Sequence, residues 1–198
     1  MRTPTLEFWF EFASTYSYIA AEEIESKADA AGVEIIWRPF LLGPIFAGQG
    51  WRDSPFNLYP AKGAYMWRDM ERLCRRKAIA WRKPSVFPRN GLLAARVATA
   101  LDAAEQLPAF VRAVYRANFS SDLEISEPSV VKDILRSLSL DEEMIFGRAN
   151  DDAAKRLLRE RTDEAKRRGV FGAPSFFAKD ELFWGGDRLE QALEALKE

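Results

Sequence analysis

The sequence predicts an α/β protein, with a unit of strands and a helix at each end of the chain and further helices between them. Near the amino end a strand pattern turns sharply into a helix and then into a second strand. Near the carboxyl end a helix leads to two short apolar segments and a closing helix. At 198 residues, 47% hydrophobic and 13% aromatic, the chain is long enough to bury a sizeable core in one domain.

Leu6 to Phe12 alternates large apolar side chains with Glu7 and Glu11, and the run Phe8-Trp9-Phe10 implies burial on both faces. From Ser17 to Ala31, the residues Ala20, Ile24, Ala28 and Ala31 share one helical face, and Gly32 is the expected stop. Val33 to Phe40 is rich in β-branched and aromatic residues and reads as a second strand, completing a βαβ unit with an expected right-handed crossover. Leu41 to Pro60 holds three glycines and three prolines and is expected to be a long functional loop. Helical patterns follow at about 61–77, 90–105, 107–118, 127–138 and 151–168. Ser175 to Ala178 and Leu182 to Trp184, around Lys179-Asp180-Glu181, read as a hairpin, and a last helix spans about 187–196. The order βαβ, helices, αββα is that of a thioredoxin-like core, 1–42 and 150–198, interrupted by an all-helical insertion subdomain at 43–149.

The charge balance, 29 basic against 30 acidic residues, gives no reason to expect nucleic acid or an anionic membrane as partner. No apolar run reaches the length of a signal peptide or a membrane span, so a cytoplasmic protein is expected. One cysteine, Cys74, excludes an internal disulfide, a Cys-x-x-Cys centre and a thiolate-rich metal site. The absence of histidine excludes Ser-His-Asp and Cys-His nucleophile systems and the usual zinc sites. Cys74 falls in register with Met66, Met70 and Leu73 and is expected in the core.

Three segments carry candidate chemistry. In Ala13-Ser14-Thr15-Tyr16-Ser17 a strand turns into a helix, where free backbone N–H groups and the helix dipole favour an anion. Thiol oxidoreductases place Cys-x-x-Cys at such a turn, whereas this chain has Ser14-x-x-Ser17. A serine hydroxyl does not ionise there and has no histidine to take its proton, so it serves as a donor. Two readings stand: Ser14 caps the helix, or it donates to a thiolate brought by a ligand. Such a charge-assisted bond is worth about 1.5–3 kcal/mol, or about one to two pKa units. In Gly169-Val170-Phe171-Gly172-Ala173-Pro174-Ser175 a proline precedes an apolar strand. In a thioredoxin-like core this turn faces Ser14, and a cis Ala173–Pro174 bond would leave the Ala173 backbone to pair with an extended peptide. In Phe183-Trp184-Gly185-Gly186-Asp187-Arg188, Asp187 is the expected cap of the last helix.

Five motifs in order resemble the 2-hydroxychromene-2-carboxylate isomerase family, which belongs with kappa-class glutathione transferases and DsbA-like thioredoxin-fold proteins. They are Phe-Glu-Phe-Ala-Ser14-Thr-Tyr-Ser-Tyr, Tyr59-Pro60-Ala-Lys62-Gly-Ala-Tyr65, Val86-Phe87-Pro88-Arg89-Asn90, Val170-Phe171-Gly172-Ala173-Pro174 and Trp184-Gly185-Gly186-Asp187-Arg188. The resemblance implies glutathione as cofactor, with Ser14 as the catalytic serine at its sulfur and Ala173 and Pro174 pairing with its cysteinyl backbone. Gly186, Asp187 and Arg188 would hold the γ-glutamyl end. Lys62, Asn57 and Asn90 would line the pocket from the helical side, and Lys62 or Arg89 would hold a substrate carboxylate. It implies a cis–trans isomerase acting on an aromatic degradation intermediate with an α-keto acid side chain, as a homodimer. Many members have proline after the serine, where this chain has Thr15. The competing expectations are a kappa-like glutathione transferase and a redox-inactive thioredoxin-fold protein that grips peptides.

Overall fold

A computed structural model describes residues 3–102 and 104–197. The chain opens with β1 (Thr5–Phe10), α1 (Thr15–Ala31) and β2 (Glu34–Pro39). It continues through α2 (Leu42–Gly48), α3 (Pro55–Leu58), α4 (Pro60–Lys77), α5 (Leu92–Ala100), α6 (Leu107–Phe119), α7 (Pro128–Ser137) and α8 (Glu142–Asn150). After α9 (Asp152–Arg167) come β3 (Ser175–Ala178), β4 (Glu181–Trp184), a single 3-10 turn (Gly186–Arg188) and α10 (Leu189–Ala195).

The four strands form one mixed sheet in the order β2-β1-β3-β4, with β1 and β2 parallel and the other pairs antiparallel. Strand β1 lies between two partners and is covered on both faces, as its unbroken aromatic run requires. On one face Leu6, Phe8 and Phe10 pack with Ile24 of α1, Phe176 of β3 and Leu189 of α10. On the other, Trp9 packs with Phe40, Phe177, Ile45 of α2 and Ala165 of α9. All of these are at most 3% exposed, and burying each such side chain contributes about 1.5–3 kcal/mol. The first face continues without a break into α5, α6, α7 and α8 through Ala94, Phe110, Val131 and Ile145. Phe12 stands edge-on to Phe110, and Tyr115 and Phe119 of α6 run on to Tyr18 of α1.

The fold is the thioredoxin-like one expected, with three differences. The stretch 41–60 carries two short helices in place of a continuous loop. Ile45 of α2 is anchored in the Trp9 cluster, and α3 lies close under α4 at Gly63, where a Cβ would collide with the Phe56 carbonyl oxygen. The helix expected over 90–105 spans only Leu92–Ala100: Asn90 Oδ1 accepts from Leu92 N–H at 2.9 Å ahead of its start, and beyond its end Asp102 N–H donates to Thr99 O at 3.3 Å and Ala104 N–H to Leu101 O at 2.7 Å in tighter turns. Helix α8 was not anticipated at all. Asp141 caps it by accepting from Met144 N–H, and Ile145 and Ala149, four residues apart, bury its inner face.

Candidate active site

Helix α1 begins where β1 runs out, because Ser14 takes an extended conformation (φ −78°, ψ 114°) and its hydroxyl oxygen accepts from Ser17 N–H at 3.2 Å. The capping reading of Ser14 is therefore observed. The same hydroxyl also donates to the carbonyl oxygen of Ala173 at 2.8 Å, which ties the first turn of α1 to the loop before β3. The Ala173–Pro174 peptide, whose isomer the sequence left open, is cis, and so is Phe87–Pro88, which the sequence did not announce. Among the described residues, the backbone N–H groups of Thr15, Tyr16 and Ala173 have no partner.

These groups open onto a cleft of about 1590 Å³. One wall is made by the Ser14 turn, Ala173-Pro174 and Gly185 to Arg188; the other by α2, the start of α4 and the segment from Phe87 to Leu92. Trp51, Phe56 and Phe87 give that far wall an aromatic surface. At the near rim the Trp184 indole lies on Gly172, leaving no room for a Cβ there, and stacks on Phe171 with centroids 4.8 Å apart. Tyr16 spans the cleft floor by donating to Asp69 of α4 at 3.0 Å, and burial beside that carboxylate holds its phenol well above the usual range.

Of the residues expected at the site, Ser14, Lys62, Asn90, Ala173, Pro174, Gly186, Asp187 and Arg188 all line this cleft. Lys62 is exposed, 5.5 Å from the Tyr59 ring centroid, with no carboxylate partner among the described residues. Asp187 differs from its expected capping role: α10 has no side-chain cap, and the Asp187 carboxylate instead lies against Gly185 and pairs with Arg188 at 3.3 Å. Gly185 has φ 108°, a backbone that favours glycine, and donates to Pro174 O at 3.0 Å.

Two expectations are corrected. Asn57 is not part of the cleft wall, because its amide donates to Asp53 and to Phe87 O at 3.1 Å and so fastens α3 to the Phe87–Pro88 turn. Arg89 borders the cleft, but it is 4% exposed and its guanidinium is already engaged. It donates to Asn118 O at 3.0 Å and Asn118 Oδ1 at 3.1 Å, to Ser85 Oγ at 3.1 Å and to Asp122 Oδ1 at 2.5 Å. Those bonds hold the Asp122 carboxyl down at about 2, the Ser85 backbone N–H first among the causes and Arg89 next. With Asp122 on its outer nitrogen and Glu124 Oε2 3.4 Å from its Nε, this cation is already balanced by the chain's own carboxylates.

Among the lining residues that sequence reasoning missed, one carries a titratable group in an unusual setting. Glu11 lies just beyond the end of β1, half-buried, with Oε2 accepting from Ala13 N–H at 2.9 Å. Its backbone carbonyl accepts from Ser14 N–H at 3.0 Å and from Tyr115 Oη at 2.9 Å. Burial pushes its carboxyl up to about 7, against the weaker opposing pull of the Ala13 N–H. The available signal was an acid flanked by Phe10 and Phe12. Cys74, in contrast, is where the register placed it, 1% exposed beside Met66 and Met70, with burial holding its thiol up at about 11.

A thioredoxin-type turn that keeps its free N–H groups and a hydroxyl donor, but has neither a reactive thiol nor an imidazole, defines a thioredoxin-fold protein without dithiol redox chemistry of its own. The DSBA-like thioredoxin domain model matches residues 5–197. The chain is 30% identical over 192 residues to a 2-hydroxychromene-2-carboxylate isomerase of Sphingobium xenophagum, covering 95% of both chains. It is 27% identical over 208 residues to the human glutathione S-transferase kappa 1, covering 98% of this chain and 91% of that one. A solved 2-hydroxychromene-2-carboxylate isomerase superposes with a TM-score of 0.87 at 24% identity, over 98% of this chain and 94% of that one. The chain thus belongs to the DSBA-like thioredoxin family, in the branch of enzymes that holds the 2-hydroxychromene-2-carboxylate isomerases and the kappa-class transferases.

Proposed function

We propose that the protein is a glutathione-dependent isomerase of the 2-hydroxychromene-2-carboxylate isomerase type, acting on an aromatic degradation intermediate that bears an α-keto acid. The observation that carries this reading is the set of free donors around Ser14, the Thr15, Tyr16 and Ala173 N–H groups, opening onto one cleft. They fit glutathione. An extended tripeptide needs a main-chain partner, which Ala173 N–H offers, and its sulfur anion needs donors, which the α1 turn offers. Gly186, Asp187 and Arg188 supply a carboxylate and a cation for the zwitterionic γ-glutamyl end.

The chemistry that bound glutathione supplies is a sulfur nucleophile able to add reversibly to a conjugated double bond. The chain's own residues bind and orient. Lys62, with its charge unpaired, holds the substrate carboxylate, Asn90 lies on the same wall, and Trp51, Phe56 and Phe87 pack against the aromatic ring. Ser14 can donate to a thiolate only by turning away from Ala173 O. A charge-assisted bond of about 1.5–3 kcal/mol then replaces a neutral one of about 0.5–1.5 kcal/mol. The net gain, about 1 kcal/mol, lowers the thiol pKa by about one unit, at the lower end of the range that the sequence alone suggests.

The test is a glutathione titration of wild type and Ser14→Ala, following binding and thiolate absorbance. The variant should ionise bound glutathione about one unit higher in pH; identical ionisation would reduce Ser14 to a helix cap. The kappa relatives favour a second reading, conjugation, and product mass separates the two, since an isomerised substrate keeps its mass. The working form is a homodimer in the cytoplasm; sedimentation of the purified protein checks the dimer, and cell fractionation the location.

A further inference from the structure

We propose that Glu11 is the proton acceptor of this site: when the bound thiol ionises, its proton passes to the Glu11 carboxylate. The inference rests on the glutathione reading and deepens it. In the step the S–H bond breaks and an O–H bond forms on Oε1, leaving a thiolate and a neutral carboxyl, with no external acid or base.

The need for an acceptor follows from what the chain lacks. It has no histidine, and its single cysteine is buried in the α1–α4 cluster. Ser14 has one proton, already donated to Ala173 O, and no base beside it to make it an acceptor. Six carboxylates line the cleft. Glu23 and Glu190 are paired with lysines, Asp187 with Arg188, Asp69 accepts from Tyr16, and Asp53 accepts from Asn57 and Ser54 N–H. Glu11 alone has neither a cation nor a side-chain donor among the described residues. Its one bond is the Ala13 N–H on Oε2, which fixes the carboxyl to the turn that leads into Ser14. Oε1 is left beside Gly91, so close that a Cβ at residue 91 would press on it. A larger residue there would push the carboxyl out of this wall.

The groups that face this carboxyl do not compete for the role. Tyr115 of α6 is held neutral by burial and donates to the Glu11 backbone, not to its carboxyl. Arg89, on the segment before α5, is turned to Asn118 and Asp122. The α5 start contributes Gly91 and Leu92, the first turn of α1 Ser14 and Thr15, none of them charged. With its carboxyl pushed to about 7 by burial, Glu11 comes close to a thiol that the Ser14 turn lowers by about one unit from near 8.5, so that one proton can be shared between them over the neutral range.

The experiment counts protons. Glutathione binding is followed at about pH 8 by calorimetry in two buffers of different ionisation heat, with thiolate absorbance recorded in parallel, for wild type and Glu11→Gln. Gln keeps an oxygen for Ala13 N–H but cannot take a proton. Wild type should show a partial thiolate band and release clearly less proton to the buffer than the variant, which should release most of one proton per glutathione bound. Equal release from both proteins overturns the assignment and leaves the glutathione reading standing. If Glu11→Gln does not fold, wild type alone decides: proton release equal to the thiolate formed overturns the proposal, and release clearly below it supports it. No binding of millimolar glutathione to a folded wild type overturns both readings.

Discussion

Glu11→Gln also makes a prediction that needs no ligand. In an unfolded chain the Glu11 carboxyl titrates near 4.5; in the fold, burial raises it to about 7. The folded state therefore binds the proton more tightly than the unfolded one, and stability from this group is full below about pH 4.5. It drains away as pH rises and is gone once pH has passed about 7. A shift of about 2.5 units at about 1.4 kcal/mol per unit is worth roughly 3 to 4 kcal/mol, a sizeable part of the stability of a domain. Gln cannot ionise, so the variant escapes the loss while keeping the Ala13 N–H bond. Denaturant midpoints measured from about pH 4 to pH 8 should show the two proteins close at the acid end, and the variant gaining on wild type by up to roughly 3 to 4 kcal/mol at the alkaline end. Every other titrating group is common to both and cancels in the difference. Parallel stability curves across this window would refute the claim that the Glu11 carboxyl is desolvated.

Other substitutions separate binding residues from structural ones. Gly63→Ala should destabilise by about 1–3 kcal/mol, because the new methyl must push the Phe56 backbone off α4; thermal denaturation reads it, and an unchanged midpoint refutes the close approach. Arg89→Leu should destabilise the fold, because it strands Asp122 and the Asn118 carbonyl together; a substrate-binding role would instead raise KM at unchanged stability. Since Asp122 is held down at about 2, its ionised, bonded form is present above about pH 4 and lost as pH falls through about 2, so that penalty should shrink in strong acid. Lys62→Met should weaken binding of a carboxylated aromatic ligand about tenfold without changing stability, whereas Asn57→Ala should leave binding unchanged and loosen α3, as isothermal titration and amide exchange would show.

The parts of the fold that were legible in the sequence are those fixed by short-range pattern. Phe8-Trp9-Phe10 announced a strand covered on both faces, and Gly32 ended α1 in the left-handed conformation that favours glycine. Ser14, Lys62, Ala173-Pro174 and Gly186 to Arg188 were found because each sits in a compact motif, and the fold gathers them at one cleft. What was not legible depends on partners far along the chain. Arg89 looks like a free cation until Asn118 and Asp122, about 30 residues away, close over it. Asn57 looks like a lining residue until the Phe87 carbonyl meets its amide. Glu11 follows the alternation of its strand on paper, but β1 ends at Phe10, so the side chain no longer obeys that rule and turns back onto Ala13 N–H. Helix α8 was not legible because only Ile145 and Ala149 bury its inner face, too few apolar positions for a helical period to show.

The aromatic seam from Phe12 through Tyr115 and Phe119 to Tyr18 joins the end of β1 and helix α1 to helix α6. Elements sharing such a keel do not swing like jaws; parting them would mean separating rings that are sealed from water. Selection among visiting molecules then falls to contour and to small turns of side chains such as Ser14 and Trp184. Grafting the helices of a relative onto this core would have to carry the matching rings along with them.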